Sequence, residues 1–241
     1  IVISMDGRLS SPDLKKQIII GLSKSGCNVI DLGLNPTPIL YFGSHHLNAD
    51  GAIQITGSHN PKNYNGFKMM IKNEPFFGKD IQNLGIKAKS GSNINMNGTI
   101  ESLDLDEKYI EQILMPLSNS KNLKDKKIVW DCGNGATGDI INKIVKLLPC
   151  ENTVLYSEID GNFPNHHPDP SNENNLVKLK QEVKRLNADF GFAFDGDGDR
   201  VGVINNKLEL IAGDILTTFL AQSLSEKKYP IILDVKSSQK C

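Results

Sequence analysis

Short apolar runs alternate with amphipathic segments along the first part of the chain. The apolar runs, which predict buried strands, cover residues 1–4, 28–32 and 51–56. Between the first two runs, Leu14, Ile18 and Leu22 recur on one face and predict a helix. A second helix is predicted over residues 39–47. Strands that alternate with helices predict a largely parallel sheet covered by helices, with ligand sites at the carboxyl ends of the strands.

The same alternation returns after a polar stretch between residues 72 and 97. Further strands are predicted over residues 127–131, 153–157, 190–194, 201–204 and 231–235. Further helices are predicted over residues 80–87, 106–117, 139–148, 174–186 and 213–226, with a charged connector over residues 118–125. The predicted fold class is α/β, with consecutive domains built on mixed, mostly parallel sheets covered by helices. We expect one domain over residues 1–105, a second over 106–208, and the start of a third over 209–241.

Composition restricts the classes of partner. The chain has 241 residues and a formal net charge of −1, which gives no electrostatic footprint for nucleic acid or an anionic membrane. Four cysteines lie far apart without zinc or redox spacing, so we expect reduced thiols in a cytoplasmic protein. The chain opens without Met inside an apolar run and stops shortly after another, so we expect a piece of a larger protein.

The strongest chemical signal is the acidic segment Asp195-Gly-Asp-Gly-Asp-Arg200, which lies between two apolar runs. Three carboxylates so close together repel one another and raise one another's pKa unless a cation is bound. Oxygen ligands of this kind suit Mg²⁺ or Ca²⁺ rather than zinc. Arg200 directly follows Asp199, and an arginine is well suited to binding phosphate. The segment therefore favours a metal site that handles a phosphorylated ligand.

Two alternatives remain for this segment. An EF-hand loop also begins with spaced aspartates, but Arg200 stands where that loop needs glycine and Asn206 where it needs glutamate. Its flanks also read as strands rather than helices. The other alternative is a solvated hairpin turn, because Asp-Gly is common turn chemistry.

A second candidate site follows the predicted strand over residues 51–56. The sequence Thr56-Gly-Ser-His-Asn-Pro61 would present the Ser58 hydroxyl outward on a tight turn. Ser58 is a candidate nucleophile or phosphate carrier, with His59 or Lys68 as proton partner or charge stabiliser. The alternative is an ordinary polar turn. The position of Ser58 at a strand's carboxyl end favours a functional site over that alternative.

A third motif indicates a different function. Gly133, Gly135 and Gly138 fit the dinucleotide fingerprint between a strand and a helix, with Glu151 or Glu158 as the acidic partner. This reading would make the protein a nicotinamide-dependent dehydrogenase. We favour a structural glycine turn instead, because nicotinamide binding leaves the Ser58 and Asp195 segments unexplained.

The motifs taken together resemble the α-D-phosphohexomutase superfamily, and most of all its bacterial phosphomannomutase/phosphoglucomutase branch. The resemblance rests on segments 56–61, 65–68, 160–170 and 195–200, in that order along the whole chain. It implies a four-domain enzyme with a central cleft, of which this chain holds most of domain 1, all of domain 2 and the start of domain 3. The missing parts choose and hold the sugar, so we expect this fragment alone to turn over slowly or not at all.

The resemblance also implies an activity and a site. The family moves a phosphoryl group between C6 and C1 of a mannose or glucose phosphate, through a phosphoserine and a bound hexose 1,6-bisphosphate, with Mg²⁺. The implied catalytic residues are Ser58, His59, Lys68 and Arg200. The implied metal ligands are Ser58, Asp195, Asp197 and Asp199. We further assign Arg8, Asn60 and Lys236 to binding of substrate and phosphate.

Several alternatives to this function stay open at this point. Phosphoglucosamine mutase shares the serine and metal segments, although the sequence of residues 64–68 resembles the mannose/glucose branch more. The dehydrogenase based on Gly133, Gly135 and Gly138 belongs to another class, and a fragment that keeps a metal site without function is a third. We expect a phosphorylated hexose as the partner, no nucleic acid or membrane, and a monomer or weak dimer.

Overall fold

The computed structural model describes residues 1–91, 96–117, 123–222 and 230–238. In these residues the chain forms two sheets, one in each half, with helices packed against both. The described helices lack the combination of length and apolar composition that a bilayer crossing requires.

The first sheet contains six strands within the described residues. They are β1 (Val2–Met5), β2 (Val29–Leu34), β3 (Gly51–Ile55), β4 (Phe67–Ile71), β5 (Glu74–Phe76) and β6 (Ile100–Ser102). Their order across the sheet is β5-β4-β3-β1-β2-β6. The strands β3, β1, β2 and β6 are mutually parallel, and β4 and β5 add an antiparallel edge. The carboxyl ends of β1, β2 and β3 therefore open on the same edge of the sheet.

Helices cover this sheet in the way the apolar pattern predicts. The helices of this half are α1 (Ser11–Lys24), α2 (Thr37–His46), α3 (Lys79–Ser90) and α4 (Asp106–Leu114). Helices α1 and α2 pack directly on the strands, α4 packs on α2, and α3 is exposed along its length. Leu14, Ile18 and Leu22 of α1 pack against the buried Ile3 and Val29 of the sheet, so the predicted helical face is confirmed. Full burial of such a side chain stabilises a fold by roughly 1.5 to 3 kcal/mol, and these partly buried side chains contribute less.

The second sheet contains five strands within the described residues. They are β7 (Lys127–Asp131), β8 (Glu151–Leu155), β9 (Phe190–Phe194), β10 (Val201–Asn205) and β11 (Leu210–Ile211), in the order β11-β10-β9-β7-β8. The helices of this half are α5 (Gly138–Ile144), α6 (Val177–Leu186) and α7 (Gly213–Gln222). Strands β8, β7 and β9 are parallel, and the hairpin β9–β10 is antiparallel. The predicted class of mixed, mostly parallel sheets covered by helices is confirmed.

One hydrophobic cluster joins the two halves. Leu40 of α2 and Ile110 of α4 belong to the same cluster as Ile140 and Ile144 of α5. All four side chains are buried. Because this apolar surface would be exposed to water if the halves separated, the cluster fixes how their sheet edges face each other.

The prediction of a strand over residues 231–235 is wrong. A strand needs a neighbour for its backbone hydrogen bonds, and the described residues place none beside this segment. Its side chains are not covered either, since Ile232 is 91% and Val235 97% exposed. Residues 223–226 of the predicted last helix and residues 118–122 of the predicted connector lie outside the described residues.

Candidate active site

The serine loop (residues 56–61) begins at the carboxyl end of β3. Ser58 has a φ of +49°, a left-handed conformation that is uncommon for a residue with a side chain. Its N–H donates to Thr56 Oγ1 at 2.8 Å, and the Asn60 N–H closes a turn on the Gly57 carbonyl at 2.8 Å. Such backbone costs about 1 to 3 kcal/mol and persists only where the surroundings hold it. The predicted tight turn is present, but Ser58 is buried rather than presented outward to solvent.

Arg8 lies beneath the serine loop and supplies that support. It is 1% exposed, and each of its five guanidinium N–H groups has an acceptor within the protein. Nε donates to Asp6, and the terminal nitrogens donate to the carbonyls of Ser58, Asn60, Pro61 and Tyr64 at 2.7 to 2.9 Å. Arg8 therefore has no N–H left for a substrate phosphate in this structure, and we reassign it from phosphate binding to holding the loop.

The acidic loop (residues 195–200) connects β9 to β10 at the carboxyl end of β9. Its turn is closed by the Gly198 N–H, which donates to the Asp195 carbonyl at 3.1 Å, and Gly198 has a φ of +72°. Carboxylate oxygens of Asp195, Asp197 and Asp199 all lie within 4.8 Å of one another. The alternation of aspartate and glycine thus brings three hard oxygen ligands together, as the sequence predicts.

The serine loop and the acidic loop meet at the junction of the two sheets. Ser58 Oγ donates to Asp195 Oδ2 at 2.7 Å. Thr37, the first residue of α2, donates its hydroxyl to the Asp197 carboxylate, and its N–H donates to the Asp197 carbonyl at 2.8 Å. Lys68 Nζ lies 2.6 Å from Asp197 Oδ2 and also bonds Asp199. Residues from both halves of the chain therefore build a single site.

The charges in this site shift the pKa values of its members. Burial, together with the negative charge of Asp197, raises the pKa of Asp195 to about 6. Burial would also raise the pKa of Asp197, but the Lys68 ammonium and the hydrogen bonds from Lys68 and Thr37 lower it overall. Burial would lower the pKa of Lys68, and the two carboxylates raise it overall. Lys68 is thus held as a cation between Asp197 and Asp199.

The acidic loop fits a hard divalent cation. Among the described residues, Asp197 Oδ1 is a buried oxygen without a hydrogen-bond partner, and such an atom is costly to leave unpaired. The ligand atoms that the three aspartates offer are all carboxylate oxygens, and these suit Mg²⁺ better than zinc or copper. Asp195, Asp197 and Asp199 would hold the ion, with Ser58 Oγ beside them.

The other predicted site residues divide into two groups. His59 Nδ1 lies 3.4 Å from Ser58 Oγ. Arg200 is exposed, and its backbone N–H donates to Asp195 Oδ1 at 3.1 Å. Asn60 is exposed at the end of the serine loop. Lys236 lies apart from this group in an exposed turn, where its N–H donates to Asp234 Oδ1 at 2.7 Å. Its assignment to substrate binding stays a prediction.

The glycine motif that resembles a dinucleotide fingerprint packs against the protein itself. A Cβ on Gly135 would lie 2.9 Å from the Gly196 carbonyl, and one on Gly138 would lie 1.9 Å from the Ser157 carbonyl. The Ala136 N–H also donates to the Gly196 carbonyl at 3.0 Å. Gly135 is therefore needed for close packing beneath the acidic loop and Gly138 for close packing on Ser157, which is the structural interpretation that the sequence favoured.

Sequence reasoning missed two contributors to the site. The sequence pattern does not mark Thr37 as a site residue, although a hydroxyl residue in the turn that follows a strand's carboxyl end lies where ligands bind. Strand β4 is not among the predicted strands, yet it pairs with β3 in a register that sets Lys68 opposite Gln54. This pairing carries Lys68 to the acidic loop.

Comparisons with known proteins agree with this geometry. The family described as phosphoglucomutase/phosphomannomutase, alpha/beta/alpha domain I, matches residues 1–92, and the corresponding domain II matches residues 107–208. The chain belongs to the phosphoglucomutase/phosphomannomutase family. The resemblance found in the sequence motifs is therefore confirmed, and the family's two domains each contribute one loop of the site.

Relatives within this family match the chain along almost its whole length. The chain is 42% identical over 242 residues to a phosphomannomutase/phosphoglucomutase of Pseudomonas putida, covering 100% of this chain and 52% of that protein. It is 39% identical over 243 residues to a phosphoglucomutase of Neisseria gonorrhoeae, covering 99% of this chain and 52% of that protein.

A solved structure extends the likeness to the fold. A phosphoglucomutase/phosphomannomutase family protein from Burkholderia thailandensis matches with a TM-score of 0.84 and 38% identity, over 94% of this chain and 51% of that chain. The chain spans about half the length of the curated relatives it matches.

Proposed function

We propose that the chain carries the phosphoserine and magnesium site of a phosphohexomutase that interconverts hexose 6-phosphate and hexose 1-phosphate. The observation that carries the proposal is the 2.7 Å hydrogen bond from Ser58 Oγ to Asp195 at the edge of the acidic cluster. A hydroxyl held beside three converging carboxylates is suited to carry a phosphoryl group next to a divalent cation. The relatives named for mannose and glucose phosphates support these sugars as substrates.

The proposed reaction has two half-reactions that balance each other. In the first, a free hydroxyl of the hexose monophosphate attacks the phosphorus on Ser58. A new sugar O–P bond forms, the Ser58 O–P bond breaks, and the hydroxyl proton passes to a base. The product is a hexose 1,6-bisphosphate, which reorients within the site. In the second half-reaction, Ser58 Oγ attacks the phosphorus of the other phosphoryl group. A Ser58 O–P bond forms, the sugar O–P bond breaks, and the base returns the proton to the sugar oxygen, which releases the isomeric monophosphate.

Each side chain of the site has a role in this scheme. A bound Mg²⁺ would neutralise negative charge on the transferred group. Lys68, whose pKa the adjacent carboxylates raise, stays positively charged and stabilises the same negative charge. Arg200 offers an exposed guanidinium at the rim to a phosphate. His59, whose ring lies 3.4 Å from Ser58 Oγ, is our proposed proton carrier.

The rest of the assignment follows from the same scheme. Asn60 and Lys236 are proposed contacts for the substrate, and hexose 1,6-bisphosphate is the proposed activator that phosphorylates Ser58. We propose that residues 1–105 and 106–208 are the two domains that supply the loops, that a third begins at residue 209, and that the parent is a cytoplasmic monomer or weak dimer.

The proposal is tested by measuring conversion of glucose 1-phosphate and mannose 1-phosphate in the complete protein, with Mg²⁺ and a trace of glucose 1,6-bisphosphate. We expect turnover of both sugars, and a fall of roughly 10²-fold or more in Asp197→Asn, which loses a buried carboxylate of the cluster. Asp189→Asn is the matched control, because Asp189 pairs with Lys126 away from the site. Absence of turnover with either sugar would overturn the proposal.

A further inference from the structure

Residues 159–168, here called the strap, leave the second sheet and lie against the base of the serine loop. A Cβ on Gly7 would come within 2.4 Å of the Ile159 side chain, and one on Gly161 within 2.6 Å of the Gly7 carbonyl. The ring of Phe163 lies 5.3 Å from Arg8 Cζ, in cation–π range. The strap therefore packs directly on the turn that holds Arg8.

The strap also bonds the serine loop itself. His167 Nε2 donates to the His59 carbonyl at 2.6 Å. The carbonyls on either side, those of Ser58 and Asn60, are both bound by Arg8. Three consecutive carbonyls of the loop are thus bound, two by Arg8 from the first half and one by His167 from the second. The two peptide groups that follow Ser58 are therefore each held, the first by Arg8 and the second by His167.

The opposite side of Ser58 leaves little room for adjustment. A Cβ on Gly196 of the acidic loop would lie 2.5 Å from the Ser58 carbonyl, so the two backbones are in contact. A Cβ at the same position would lie 3.5 Å from Pro168, the last residue of the strap. Ser58 is therefore enclosed by Arg8, the acidic loop and the strap together.

An ion pair anchors the strap to the second sheet. His166 Nε2 lies 3.0 Å from both carboxylate oxygens of Asp131, which is fully buried at the end of β7. His166 Nδ1 lies 3.0 Å from the His167 carbonyl. Both partners are acceptors, so both ring nitrogens donate and the ring is an imidazolium. Burial would lower the pKa of His166, but the Asp131 carboxylate raises it overall, in agreement with this state.

We propose that the strap is a positioning element for phosphoryl transfer, in which His167 fixes the backbone at Ser58 through the His59 carbonyl and the His166–Asp131 pair anchors the strap. The inference rests on the proposed function, because it names what holds the residue that accepts the phosphate. His166 and His167 are positioning residues, since they act on Ser58 through the backbone and the hydrogen bonds described above. Phosphoryl transfer depends on such placement, and a shift of about 1 Å can cost 10²-fold in rate.

The test compares His167→Ala with His167→Gln in the complete protein. His167 is exposed, so both variants are expected to fold. His167→Ala is expected to speed hydrogen exchange at the amides of His59 and Asn60 and to lower kcat about tenfold, the equivalent of one hydrogen bond, with little change in KM. His167→Gln is expected to restore both, because its amide can donate to the same carbonyl. His45→Ala, at an exposed histidine on the last turn of α2, is the matched control.

The outcomes separate this inference from the proposed function. Hydrogen exchange needs no turnover, so unchanged exchange at His59 and Asn60 in His167→Ala overturns the positioning role whether or not the enzyme is active. Faster exchange in a protein without mutase activity would support the strap and reject the function. His166→Gln is expected to speed exchange at the same amides. A lower melting temperature without that local change would reject its role as the anchor.

Discussion

Ser58 and Asp195 are joined by a 2.7 Å hydrogen bond although they lie 137 residues apart, at the ends of strands in different sheets. Neither half of the chain builds the site alone, because the hydroxyl comes from the first sheet and its acceptor from the second. The shared hydrophobic cluster between α2, α4 and α5 holds the two edges in contact. The fold thus fixes the position of the phosphate-accepting oxygen relative to the proposed metal ligands.

Support of the serine loop by Arg8 predicts a strong effect of Gly57→Ala. A Cβ on Gly57 would lie 2.4 Å from Arg8 Cζ, and the guanidinium cannot move away without breaking its bonds to the loop. We expect a loss of about 1 to 3 kcal/mol in the free energy of unfolding, measured by urea denaturation, together with a large fall in activity.

Gly21→Ala provides the matched control for that substitution. Gly21 lies within α1, and a Cβ there would meet nothing within 4 Å. Alanine is a better helix former, so we expect a gain of about 0.5 to 1 kcal/mol. Equal effects of the two substitutions would show that the contact with Arg8 is unimportant.

Lys68→Met is expected to destabilise the metal-free protein. Lys68 neutralises Asp197, whose side chain is fully buried, and removing one partner of such a pair costs roughly 3 kcal/mol. Saturating Mg²⁺ is expected to restore part of this stability, because the ion replaces the lost positive charge. Thermal unfolding with and without Mg²⁺ measures both effects.

Lys126→Met is the comparison for Lys68→Met. Lys126 pairs with Asp189 at a more exposed position, so its loss should cost at most about 1 kcal/mol. A Lys68 variant that unfolds like wild type in the absence of metal would contradict the assigned role of Lys68 as a counter-ion.

Binding of Mg²⁺ to the unphosphorylated protein is expected to weaken in acid. Asp195 must be ionised to bind a cation, and its pKa is about 6. This value lies above the unfolded pKa of about 3.9. Charged Asp195 therefore destabilises the metal-free fold at neutral pH. This cost begins to decrease as the pH falls below about 6 and is gone only below the unfolded pKa of about 3.9.

Calorimetric titration with Mg²⁺ between about pH 7 and about pH 5 checks this prediction. The affinity should fall by about tenfold per pH unit below 6. Asp195→Asn should bind weakly and lack a transition near pH 6. An affinity of the wild type that stays constant over this range would remove Asp195 from the ligand set.

The sequence predicts those parts of the fold and site that depend on local pattern. The helical face of Leu14, Ile18 and Leu22 and the strand before Ser58 are both local, and the structure confirms them. The convergence of Asp195, Asp197 and Asp199 is also local, since the glycines between them permit it.

Contacts between distant segments could not be predicted in this way. No spacing rule predicts that Arg8 donates its N–H groups to the serine loop, or that Thr37 donates to Asp197. Strand β4 was missed because it is half exposed and lacks clean alternation. The apolar residues at 231–235 were read as a strand from pattern alone, although a strand also requires a partner.

The most direct test of the account is the mass of the peptide that contains Ser58, after incubation of the complete protein with glucose 1,6-bisphosphate and Mg²⁺. We predict one added phosphate on that peptide, and none in Ser58→Ala. Addition of glucose 1-phosphate should then remove this phosphate from Ser58, which is seen as loss of the added mass. An unmodified Ser58 in a folded protein that binds Mg²⁺ would contradict the phosphoserine mechanism.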